Sequence, residues 1–193
     1  MGAVVTLPRR AFCLIRHGET DANRDGIIAG RTEARLTARG RAAAAGLAIL
    51  DWPGRIAVFS SPQERARETA ALAFPGLRVT VLAGLRERDW GRFEGRPLAE
   101  RPDREAPAEG WEDWSAMVDR VEWAIAQAVA RSGAALPVIV AHSGVIRAAR
   151  VLTGGGAGGP SAENALPLLF APVGGGWREG RLFTDGPARG RMG

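Results

Sequence analysis

Phe12-Cys13-Leu14-Ile15-Arg16-His17-Gly18-Glu19-Thr20 is the stretch that decides how this chain folds. Four apolar residues make a strand-length run, and an arginine, a histidine and a glycine follow at once, so the run carries an imidazole at its C-terminal end. The second of the chain's two histidines, His142, stands in the same relation to Pro137-Val138-Ile139-Val140-Ala141. Two further strand ends are polar. Ile56 to Phe59 runs into Ser60-Ser61-Pro62-Gln63-Glu64-Arg65, and Arg78 to Leu82 leads to Leu85-Arg86-Glu87-Arg88-Asp89-Trp90-Gly91.

These runs alternate with helical patterns over Thr37 to Leu50 and Pro62 to Ala73. The alternation predicts an α/β layer fold with a largely parallel sheet, in which function belongs at the strand C-terminal ends. Ser61 as cap, Pro62 at the first helical position and Glu64 closing a capping box predict the start of the second helix. Arg65 then sits in the first turn, where free N–H groups and the helix dipole favour an anion. From Trp114, the residues Met117, Val118, Val121, Ile125, Ala128 and Val129 share one helical face and read as core. Gly91 to Trp111 is rich in Arg, Glu and Pro and predicts an irregular segment over the strand ends, of the kind that shapes substrate pockets. Gly154 to Gly159 predicts a flexible turn, without the Lys-Ser/Thr of a phosphate-cradling loop. Leu166 to Pro172 and Trp177 to Phe183 are two late strand candidates.

The length of 193 residues suits one domain over residues 1–193. Apolar residues at 46% and charged residues at 24% place it among globular proteins rather than disordered ones. The net charge of +5 comes entirely from arginine, spread among 21 acidic residues. No basic run alternates with aromatics, so nucleic acid is not the expected partner and a small anionic substrate is. Cys13 is the single cysteine, which excludes an intrachain disulfide and predicts a buried, inert thiol. No apolar run has membrane-spanning length and no apolar N-terminal core precedes a cleavage site, so no membrane partner is expected and the cytoplasm is the expected address. Met1 to Thr6 fits the loose myristoylation pattern only at two fixed positions, which reads as coincidence. Two histidines and one cysteine make no closed zinc cluster and the carboxylates lack calcium-loop spacing, so neither metal nor cofactor is expected. Oligomeric state stays open.

Taken in order, the motifs are Arg16-His17-Gly18-Glu19-Thr20 with Asn23, Leu36-Thr37-Ala38-Arg39-Gly40, Ser60-Ser61 with Arg65-Ala66, Glu87 with Gly91 and Glu94-Gly95, and Ala141-His142-Ser143-Gly144. With them the chain, from about Phe12 to Arg150, resembles the histidine phosphatase superfamily, the phosphoglycerate mutase-like family. The resemblance implies a three-layer α/β/α sandwich around a mostly parallel sheet, and phosphoryl transfer through a phosphohistidine. It implies His17 as nucleophile, Glu87 as proton donor, and Arg16, Arg65 and His142 around the phosphoryl group. Asn23 and Thr20 match phosphate-loop positions, and Ser143 belongs to the His142 motif. Gly18 and Gly144 are expected to let backbone approach the ligand.

The chemistry suits these residue types. A neutral imidazole attacks phosphorus and later leaves to water, and neighbouring arginines oppose its protonation while their planar forks bind phosphate oxygens. A carboxyl beside a phosphate dianion is biased toward the protonated form a leaving alkoxide needs. Glu19 is the rival acid, and a surface ion pair with Arg86 or Arg88 is the alternative role for Glu87. Trp90, Trp111, Trp114, Arg31, Arg92 and Arg147 stand as packing or surface residues, with a place in the substrate pocket as the alternative. The expected activity is hydrolysis of small phosphomonoesters. The alternatives are a phosphoglycerate mutase, for whose closed cavity Gly91 to Trp111 is short, and a non-catalytic phospho-ligand binder. Ala29-Gly30-Arg31-Thr32 departs from the family pattern and leaves the substrate open.

Overall fold

Residues 7–183 are described by the computed structural model. The myristoylation-like match at Met1 to Thr6 lies outside them. The chain runs β1 (Phe12–Arg16), α1 (Asp21–Arg24), α2 (Ala38–Gly46), β2 (Ile56–Ser60), α3 (Glu64–Ala73), β3 (Val79–Val81), α4 (Trp114–Arg131), β4 (Leu136–Ala141), α5 (Ser143–Leu152), β5 (Pro167–Val173) and β6 (Gly176–Arg181). The six strands form one sheet in the order β3-β2-β4-β1-β5-β6. The first four are mutually parallel, while β5 runs antiparallel to β1 and pairs with β6 as a hairpin.

Strand alternation builds the three layers. Phe12 and Leu14 join Phe59, Ile139 and Ala141 in a core packed on α4 and α5. Cys13 and Ile15 point the other way, with Val58, Val138 and Val140, onto Leu47 and the Ala66, Ala70 and Ala73 face of α3. Burial pushes the Cys13 thiol up, which keeps it unreactive. On α4 the expected stripe is buried from Trp114 to Val129, with Val118 partly buried against the same core. The carboxylate of Asp113 caps that helix, accepting from Ser115 N at 2.8 Å. No helix among the described residues is long and apolar enough to cross a membrane.

The start of α3 departs from expectation. The helix begins at Glu64, and Gln63 is its N-cap without a side-chain bond. Pro62 therefore precedes the helix. The Ser61 hydroxyl is drawn across the sheet to His142 Nε2 at 2.7 Å, while the Glu33 carboxylate takes Glu64 N at 3.2 Å. The same hydroxyl accepts from Gln63 N at 3.3 Å, so Ser61 serves the turn before the helix and the tertiary partner at once.

Residues 91–110 hold two single 3-10 turns, Gly91–Phe93 and Leu98–Glu100, and are otherwise irregular, as expected. Ile28 N donates to Arg96 O at 2.8 Å, which ties this segment to the loop after β1.

Candidate active site

Register brings the two histidines together. Arg16 of β1 lies opposite Ala141 of β4 in a parallel pair, so the next residue on each strand is a histidine at the same sheet edge. Their ring centroids are 5.2 Å apart. His17 is 5% exposed and lines a cavity of about 330 Å³ together with Arg16, Asn23, Glu87 and Ser143.

His17 Nδ1 lies 2.7 Å from Gly18 O. A carbonyl only accepts, so Nδ1 carries the proton and Nε2 keeps its lone pair. Burial and the charges of Arg65 and Arg16 hold the imidazole well below the usual histidine range, hence neutral. The ring is thus presented as a nucleophile.

His142 is wholly buried and off the cavity wall. Besides the Ser61 contact through Nε2, its Nδ1 has no partner among the described residues. Burial first, then Arg65 and His17, keep it neutral as well.

Glu87 lines the cavity with a carboxylate held by backbone: Oε1 accepts from Arg88 N at 2.8 Å and Oε2 from Gly144 N at 3.0 Å. Its own N–H donates to Gln63 Oε1 at 2.7 Å. The surface ion-pair alternative fails, because Arg86 turns to Glu112 and the Arg88 guanidinium to the carbonyls of Glu112 and Arg104. Glu19, the rival acid, accepts from the Thr37 hydroxyl at 2.9 Å and anchors the start of α2.

Several expected binders sit elsewhere. Arg65 is 1% exposed and lies behind the wall: Nη1 donates to Thr32 O, and Nη2 to Ala29 O and Gly30 O. Its charge reaches His17, but those terminal nitrogens are committed to the loop. Thr20 is buried as the cap of α1, accepting from Asn23 N, and does not reach the cavity. Asn23 does line it, with Oδ1 taken by Thr20 N and Asn164 Nδ2. The two glycines serve the protein rather than a ligand. A Cβ at Gly18 would strike the Gly40 backbone, and one at Gly144 would run into Glu87 Oε1 and Met117 Cε. Trp90 is buried yet reaches the cavity wall, and Trp114 packs in the core.

Sequence reasoning missed Gln63, Asn164 and Arg101. Asn164 Nδ2 donates to His17 O at 2.8 Å from 147 residues downstream, and Arg101 lines the cavity from the irregular segment. Gln63 holds Glu87 while its Nε2 donates to Gly30 O. Glu94 organises the divergent loop: burial raises its carboxyl, yet N–H groups of Trp90, Arg31 and Thr32 draw it below the usual range.

A family model for the histidine phosphatase superfamily (branch 1) matches residues 12–157. The chain therefore belongs to that superfamily. An uncharacterized phosphatase, PhoE, of Bacillus subtilis is 34% identical over 154 residues, 76% of this chain and 78% of that protein. A metal-independent phosphoserine phosphatase of Arabidopsis thaliana is 30% identical over 156 residues, 70% of this chain and 65% of that one. The structure of the alpha-ribazole phosphatase from Shigella flexneri superposes with a TM-score of 0.69 at 29% identity, covering 83% of this chain and 89% of that one.

Proposed function

We propose that the protein is a metal-independent phosphatase of small phosphomonoesters, acting through a phosphoenzyme on His17 Nε2 with Glu87 as proton donor. Family membership and relatives named as phosphatases support the class. The observation that carries the roles is the bond of His17 Nδ1 to Gly18 O, which leaves Nε2 unprotonated in a cavity shared with Glu87.

In the first half-reaction Nε2 attacks phosphorus, the bond to the ester oxygen breaks, and the Glu87 carboxyl gives its proton to the leaving alcohol. In the second, Glu87 as carboxylate takes a proton from water, the water oxygen bonds to phosphorus, and the P–N bond breaks to return neutral His17. Arg16, whose Nη1 is anchored on Ala162 O at 2.9 Å and whose buried Nε has no partner among the described residues, supplies a donor for the phosphoryl oxygens. Arg65 and His142 both stand behind the wall, Arg65 contributing its field and His142 packing its ring against that of His17. Arginines thereby take the charge-neutralising role a metal fills in many phosphotransferases.

The test is labelling with a ³²P-phosphomonoester in excess EDTA. An acid-labile, alkali-stable phosphoenzyme is expected in wild type and none in His17→Ala. A label on serine, or turnover restored only by a divalent metal, overturns the assignment. Label passing to a second alcohol instead of water identifies a mutase.

A further inference from the structure

Among the described residues most exposed arginines pair with a carboxylate, but a group beside the active-site cavity does not. Among the described residues, no carboxylate oxygen lies within 4.0 Å of the guanidinium nitrogens of Arg88, Arg101, Arg104 or Arg147. Three of them, Arg101, Arg104 and Arg147, line a second cavity of about 480 Å³. It shares Leu98 and Arg101 with the cavity of His17, so the two cavities are neighbours across these two residues.

The cations are built in rather than loosely hung. Arg147 is 6% exposed, its Nη1 donates to Ala157 O and Gly158 O, and its buried Nε has no partner among the described residues. Arg104 stacks its guanidinium 5.1 Å from the Trp114 ring centre, and its carbonyl is gripped by Arg88 Nη1 at 2.8 Å. Its buried Nη1 is likewise unpartnered. The wall's carboxylates, Asp103 and Glu105, are exposed, and Asp103 Oδ1 is turned to Glu105 N. Burial, opposed by Glu87 and reinforced by Arg101, Arg147 and Arg88, pushes Arg104 down to about 10. Three arginines on one cavity wall with no carboxylate within 4.0 Å, two of them with a buried nitrogen that has no partner among the described residues, are complementary to an anion.

We propose that this cavity is a second anion subsite, which receives a carboxylate or phosphate carried on the leaving alcohol while the reacting phosphoryl group sits at His17. The substrate class is then a small phosphomonoester with a second anionic group on its alcohol. The proposal rests on the phosphatase reading for its catalytic consequence, but the binding it asserts is separable from turnover.

The probes are three-carbon phosphate esters that end in a hydroxyl, a carboxylate or a second phosphate. Wild type is expected to show kcat/KM at least about tenfold higher for one or both anionic esters than for the hydroxyl ester. Arg104→Gln should erase that preference while changing the hydroxyl ester less than about twofold, which also reports an intact fold, and Arg104→Lys should restore part of it. The ester that gains tells carboxylate from phosphate. Binding is read without chemistry in His17→Ala, where the anionic esters should bind about tenfold more tightly than the hydroxyl ester and lose this on adding Arg104→Gln. Equal binding of all three esters there, or an anionic preference that survives Arg104→Gln, overturns the subsite. Loss of all His17-dependent turnover with the binding preference intact overturns the phosphatase reading alone.

Discussion

His17 and His142 end adjacent parallel strands at the same register, are both buried and both held neutral, and yet their hydrogen bonds differ. His17 spends Nδ1 on its own neighbour's carbonyl and opens Nε2 to the cavity. His142 binds a hydroxyl from a third strand through Nε2 and stays behind the wall. Topology delivers two equivalent rings, and the second hydrogen-bond partner separates the proposed nucleophile from a fixed support.

The largest break in that asymmetry is His17→Ala. Turnover should fall by about 10⁴-fold or more, as for other covalent nucleophiles. A steady-state assay on p-nitrophenyl phosphate decides it, and retention of a tenth of the activity would return the nucleophile's role to open question.

Glu87→Gln tests the carboxyl group that lines the same cavity as His17. For an alkyl phosphate kcat should drop about 10²- to 10⁴-fold, whereas p-nitrophenyl phosphate, whose leaving group departs unprotonated, should lose far less. Equal losses for both would make Glu87 a binding residue and move the test to Glu19.

His142→Ala should lower kcat less than either change above, since the ring supports His17 from behind the wall with centroids 5.2 Å apart, while a phosphoenzyme on His17 still forms slowly. Rapid-quench labelling separates the two rings: no slow label in this variant would place the nucleophile's chemistry on both.

The smallest effect is a pH dependence of stability. Each ring is held well below its ordinary value in the fold and returns to about 6.5 when unfolded. Below that pH the unfolded chain binds more protons, so stability falls as pH falls, by up to ~1.4 kcal/mol per pH unit for each ring. Above about pH 7.5 the unfolded rings are also neutral and the slope vanishes. Urea unfolding at pH 7.5, 6.5 and 5.5 should show a shallower fall in His142→Ala than in wild type. Identical slopes would mean that His142 is not buried in its neutral form.

The strands and the paired histidines were legible because apolar alternation and strand ends are local signals. Glu87 was legible only with the motif around it. What escaped depends on distance along the chain. Nothing near Asn164 announces that its amide will hold the His17 carbonyl, and nothing near Ser61 says that its hydroxyl will also meet His142. Thr20 and Arg65 occupy the expected positions, yet one caps a helix and the other binds loop carbonyls, because a position in a motif does not fix where a side chain spends its hydrogen bonds. Gly18 and Gly144 were expected to admit a ligand. What fills the space instead is the Gly40 backbone in one case and the Glu87 carboxylate in the other.

The clamp of Asn164 on the His17 carbonyl also sets a schedule for synthesis. His17 leaves the ribosome early, but its partner follows 147 residues later, an interval of ~7–30 s at ordinary elongation rates. For that time the nucleophile's loop lacks its clasp, and β1 lacks both strands that flank it, since β4 and β5 also lie far downstream. The nascent chain therefore carries an apolar central strand without its flanking partners long before it owns a working site.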